Sequence, residues 1–211
     1  MYVADTDNDG EGDGEEVFKG VDPLVPGKVL LLKRAANNMT IEYFIWMAKK
    51  TNNPNPPLEQ ARIDEFVAQK TKTPIQLPQI GKDEIILSGQ NNSQGVQEYL
   101  SRVNEVPLAF PETNYLKIAA DVFNGVTSTL QATLGQLAAT YNSYRSIPVP
   151  QQALSLHQSY LSLFKFLQTM FKDLYRAKED PVRIVYNSKR GEELIPIIQN
   201  LEQQKQALRR E

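Results

Sequence analysis

ETNYLKIAADVFNGVTSTLQATLGQLAATYNSYRS, residues 112–146, decides the fold. Its apolar residues recur at Tyr115, Ile118, Val122, Val126, Leu130, Leu134, Leu137, Tyr141 and Tyr144. Those spacings of three and four keep one helical face apolar, which predicts a single amphipathic helix about 50 Å long. Gly125 and Gly135 read, inside such a helix, as points of close packing, each costing about 1 kcal/mol against Ala. IPVP at 147–150 forces a turn. A second long helix is expected from about Gln151 to Lys178, with Leu154, His157, Leu161, Phe164, Leu167, Phe171 and Leu174 on its stripe. Asp180-Pro181 form a cap and first-turn pair that opens a last helix to about Arg210, which Gly191 and Pro196 are expected to bend or break. Short links between long helices favour antiparallel neighbours. The fold class that follows is mainly α, an antiparallel helical bundle with two or three long C-terminal helices.

Toward the N-terminus the elements shorten. Ser93 stands as the cap of a helix over 94–106 that buries Val96, Tyr99, Leu100 and Val103. Residues 72–82, punctuated by Pro74 and Pro78, read as an extended connector. DEIILSG, 83–89, is a short strand or a tether that inserts Ile85, Ile86 and Leu87 into the core. Pro57 suits the first turn of a helix running to about Thr71. Thr40 is expected to cap the helix before it, whose apolar face is Ile41, Phe44, Ile45 and Ala48. VLLLK, 29–33, is open between a strand and a first helical turn. The domain organisation read from this is an acidic segment over 1–26 and a helical domain over 27–211. Within the latter, 27–106 holds shorter helices and connectors and 112–211 the long helices.

Composition separates the ends of the chain. The 211 residues carry a net charge of −2. Residues 1–22 alone hold eight acids against Lys19, so the remaining 189 residues, with 17 acids and 22 bases, carry +5. That body is too mildly basic to argue for nucleic acid. There are no cysteines, which removes disulfides, thiolate metal sites and cysteine nucleophiles. No apolar run approaches the length of a membrane span.

The acidic end has a pattern. DTDNDGEGDGEE, residues 5–16, places Asp5, Asp7, Asp9 and Asp13 around Gly10 and closes on Glu16. This is the ligand register of an EF-hand-type calcium loop. Calcium takes six to eight oxygens, and carboxylates at alternate positions of a curling backbone converge on one point. In that register Asp5, Asp7 and Asp9 each give a side-chain oxygen and Glu11 gives its backbone carbonyl. Asp13 binds directly or through a water, and Glu16 binds with both oxygens. Gly10 stands where the chain turns most sharply. The plain alternative is a solvated acidic tail.

The longer run to Gly27, with Glu15, Glu16, Val17 and then Gly20, Val21, Asp22 and Pro23, resembles the thrombospondin type-3-like calcium repeat of bacterial secreted and surface proteins. Two departures accompany the resemblance. Glu11 stands where such repeats usually carry an apolar residue, and one repeat is present where they come in tandem. The first ligand stands close to Met1, so a signal or anchor and further repeats are expected upstream. The helical body, through VPQQALSLHQSYLSLF at 149–164 and the Asp180-Pro181 helix start, resembles the C-terminal part of repeat-bearing secreted proteins from bacteria of the candidate phyla radiation. What these resemblances imply is an extracellular or cell-surface protein with Ca2+ as its bound ion.

Other residues weigh less. His157, the only histidine, reads as a core residue bonded to a neighbouring helix, because zinc and Ser-His-Asp sites need partners this chain lacks. Tyr141, Tyr144, Tyr160 and Tyr175 read as core with hydroxyls at its rim, or else as a recognition patch. The leading expectation is a non-enzymatic calcium-binding structural or interaction protein. Calcium would rigidify an acidic stalk joined to a helical scaffold or bundle that binds a protein or cell-envelope partner. The alternative is a carbohydrate-active or other hydrolase domain with a carboxylate cleft between helices. An intracellular calcium sensor is disfavoured, since a lone loop lacks the paired loop that sensors use.

Overall fold

The computed structural model describes residues 5–8, 10–19, 38–53, 56–106 and 115–210. Among them the protein is mainly α-helical, as the periodicity requires. Eight α-helices are found there: α1 (Asp13–Lys19), α2 (Met39–Thr51), α3 (Gln60–Lys70), α4 (Ser93–Glu105), α5 (Tyr115–Phe123), α6 (Ser128–Arg145), α7 (Leu154–Lys172) and α8 (Pro181–Leu208). VLLLK at 29–33 lies outside the described residues. The chain forms two compact units. The first draws on Met1–Thr73 with Arg176–Lys189, and the second on Pro74–Tyr175 with Arg190–Glu211.

In the first unit Asn38, not Thr40, caps α2. Asn38 is extended (φ −125°) and its Oδ1 accepts the Ile41 N–H at 3.0 Å, satisfying one of the orphan donors of the first turn. Thr40 serves another helix instead. Its hydroxyl donates to Asp180 Oδ1 at 2.9 Å and accepts the Val182 N–H of α8 at 3.1 Å. The face α2 buries is Met39, Tyr43 and Met47, with Ile41 and Ala48, while Phe44 and Ile45 are half-buried. The expected stripe is thus rotated toward the flanking residues. α3 starts three residues later than Pro57 suggests, because Glu59 is still extended and the Pro57 carbonyl accepts the Tyr43 hydroxyl at 3.0 Å. It contributes Ile63, Phe66 and Val67, and Val182 of α8 completes the cluster. Tyr43 meets Phe66 edge to face at 5.8 Å, and Trp46 lies 5.5 Å from the same ring. α1 packs against α2.

The second unit is built on α7, whose stripe is buried from Leu156 to Phe171. The single helix expected over 112–146 is two helices among the described residues. α5 stops at Phe123 and α6 starts at Ser128, and between them Gly125 adopts φ +86°. The Val126 N–H bonds the Asp121 carbonyl at 2.8 Å and the Gly125 N–H bonds that of Val122 at 2.9 Å. Such paired bonds around a left-handed glycine close a helix, so the glycine read as a packing point is a terminator. Val126, expected on the buried stripe, is exposed. Nor is Gly135 a close-packing point, for a Cβ there would meet nothing within 4 Å.

α6 and α7 run antiparallel. Leu137 receives a bond from Gln168 while Tyr144, further along α6, stacks near Tyr160 and Phe164, earlier on α7. The turn between them is fastened. Pro148 and Pro150 have no N–H, and Val149 between them donates to the Ile86 carbonyl and accepts from Ser88, both at 2.8 Å. This is a single parallel bridge, not a strand. Of the three apolar residues of DEIIL only Ile85 is buried, while Ile86 and Leu87 are exposed. α4 buries Val96, Tyr99, Leu100 and Val103 as expected, but its cap is Asn92, whose Oδ1 accepts the Gly95 N–H at 2.9 Å. Ser93 is its first helical residue. α7 ends at Lys172 in a 3-10 turn over Asp173–Arg176, and α8 runs unbroken through Gly191 and Pro196.

Candidate functional site

The acidic motif occupies the start of the first unit. Asp5, Asp7, Glu11 and Asp13 are half-buried and Glu16 is wholly buried, while Asp9 lies outside the described residues. The backbone turns at two left-handed residues. Gly10 takes φ +95°, and Asn8, two residues earlier, takes φ +58°, a conformation asparagine tolerates better than most residues. The turn is drawn back on its own beginning by the Gly10 N–H, which donates to Asp5 Oδ2 at 3.2 Å. The other oxygen, Asp5 Oδ1, is buried and has no hydrogen-bond partner among the described residues. The two oxygens of one carboxylate are thus divided, one spent on the turn and one without a hydrogen bond among the described residues.

The second half of the loop is held by Thr6, a residue that sequence reasoning passed over. Its N–H donates to Asp13 Oδ1 at 2.7 Å and its hydroxyl to Asp13 Oδ2 at 2.6 Å. Asp13 opens α1, and Asp13, Glu15 and Glu16 lie in its first turn, where negative charge complements the helix N-terminus. The N–H groups of Glu15 and Glu16 both bond the Gly12 carbonyl. Among the described residues, no three acidic or histidine side chains stand close enough together to hold a cation on their own. Of the ligands expected for a calcium ion, Asp5, Asp7, Glu11, Asp13 and Glu16 are among the described residues.

His157 lies in the core of the second unit, as its place on the stripe implies. It is wholly buried, its Nδ1 stands 3.4 Å from the Tyr99 hydroxyl of α4, and burial pushes its pKa down to about 4. The four tyrosines part company. Tyr144 and Tyr160 are buried, with burial raising the pKa of each, and the Tyr160 hydroxyl donates to Glu202 of α8 at 3.0 Å. Tyr141 is half-buried and donates to Glu84 at 2.7 Å, whereas Tyr175 is exposed. Lys165 donates to both oxygens of the same Glu84, at 2.9 and 2.6 Å, and that bond above all holds the carboxyl down at about 2. Glu65, bonded by Lys50 and Arg62, is lowered as well. Both shifts run opposite to what a general acid needs.

Comparison with models of known protein families, with curated proteins and with solved structures found no match to this chain.

Proposed function

We propose that this is an exported or cell-surface calcium-binding structural protein. In this reading calcium fixes the acidic loop of residues 5–16 at the head of α1, and the helical units serve as a scaffold or as a surface for a protein or cell-envelope partner. The observation that carries the reading is the division of labour at Asp5. Oδ2 holds the Gly10 N–H while Oδ1 is buried without a hydrogen bond among the described residues, and a carboxylate oxygen left in that state is suited to a cation. The left-handed Gly10 at the sixth position and the buried Glu16 at the twelfth support it. A bound calcium would supply the positive charge that offsets the repulsion among the acids of the loop. The resemblance to thrombospondin type-3-like repeats and to secreted proteins of candidate phyla radiation bacteria supports the extracellular setting. Weak sites of about 10⁻⁴–10⁻³ M suit such surroundings.

The test is the amide resonance of Gly10. Calcium on Asp5 would polarise the bond that Gly10 donates, so titration is expected to move this resonance downfield in the wild type and to leave it in place in E16Q. A resonance that calcium does not move sinks the proposal.

A further inference from the structure

Two buried polar atoms in the second unit have no partner in the protein among the described residues: the hydroxyl of Tyr144 and Nε2 of His157. Both residues are 0 % exposed. They belong to one group of rings, since the Tyr144 and His157 centroids lie 6.3 Å apart and Tyr99 lies 5.8 Å from His157. Around them the other polar atoms are committed. The Tyr99 hydroxyl stands by His157 Nδ1, and the Tyr160 hydroxyl donates to Glu202, which also pairs with Lys205. Leaving a hydroxyl and an imidazole nitrogen bare in a core costs the desolvation of each, and proteins meet such needs with internal water.

We propose that the core of the second unit contains a structural water site, in which one water molecule bridges Tyr144 Oη and His157 Nε2. The hydroxyl both donates and accepts and the imidazole nitrogen does either by tautomer, so water complements the pair in every tautomer. The site ties α6 to α7 by polar contacts where the rings alone give only packing, and it accounts for a histidine kept neutral in an apolar stripe.

The test pairs a high-resolution crystal structure of the full chain with equilibrium unfolding of Y144F. A water peak within hydrogen-bond distance of both atoms is expected. Y144F keeps the ring and strands the water, so its folding equilibrium constant is expected to fall about tenfold. Absence of the peak overturns the proposal. So does a Y144F chain as stable as the wild type or more so, because deleting a truly bare buried hydroxyl relieves the core.

Discussion

Thr40 and Asp180 cap each other's helices. The Asp180 carboxylate accepts the N–H groups of Met39 and Thr40 at the start of α2, at 3.0 and 2.9 Å, and the Thr40 hydroxyl accepts the Val182 N–H at the start of α8. The contact joins residues 140 apart, is buried, and carries Arg183 Nε on the same carboxylate at 2.9 Å. Two helix N-termini that meet head to head would repel, and one anion placed between them removes the conflict.

Removing either partner therefore strands backbone donors in the first unit. Thr40→Val is expected to cost about 1–2 kcal/mol and Asp180→Ala about 3 kcal/mol, since the latter orphans several donors at once. The double variant should cost less than the sum, because both changes break one network. Trp46, the only tryptophan, packs against this core and reports its unfolding in urea. Strict additivity would contradict the shared cap.

The two glycines first read alike should respond with opposite sign. Gly125→Ala forces a side chain into a left-handed backbone and is expected to destabilise by about 1 kcal/mol. Gly135→Ala fills open space on a helix and should stabilise by about 0.4–1 kcal/mol. Thermal melting of the two variants decides it, and a shared sign would contradict the break between α5 and α6.

His157 sets an acid limit on the second unit. Its folded pKa of about 4 lies below the ordinary 6.5, so below 6.5 the unfolded chain binds the proton first. Stability from the neutral ring is complete above 6.5, is lost as pH falls, and is gone below about 4. The loss is at most about 3 kcal/mol. In His157→Phe the slope of stability between pH 6.5 and 4 should flatten, whatever the absolute cost of the change. An unaltered slope would rule the histidine out as its source.

Glu84 acts in a lower window. Its carboxyl, bonded by Lys165 and Tyr141, is ionised down to about 2 against an ordinary 4.5. The stability it gives is present above 4.5 and lost as pH falls toward 2. With the pair partly open to solvent, about 1 kcal/mol is expected. Glu84→Gln should reduce the pH dependence between 4.5 and 2, to which Glu65 also contributes, and leave that between 6.5 and 4.5. Acid unfolding followed by circular dichroism separates the two.

What the sequence carried and what it hid divide along physical lines. Helical class and the buried face of α4 were legible because one face packs on one core, so Val96, Tyr99, Leu100 and Val103 keep the helical period. The break at Gly125 was not legible, since the spacing of three and four runs on in the sequence through Val126, which the turn leaves exposed. Caps were misplaced by one or two residues at α2 and α4, where Asn38 beside Thr40 and Asn92 beside Ser93 are all capping types. Local sequence does not say that Thr40 is spoken for by Asp180. In the loop, the turn at Gly10 was legible from the glycine itself, while the bonds of Thr6 to Asp13 and the left-handed Asn8 depend on conformation and have no such pattern.

The central claim is tested most directly by calorimetric titration of calcium into this chain and into its Asp5→Asn/Glu16→Gln variant. One site in the wild type, lost in the variant, is the predicted result. No binding heat up to several millimolar calcium, with the chain folded throughout, would contradict the account and return residues 5–16 to an acidic surface segment.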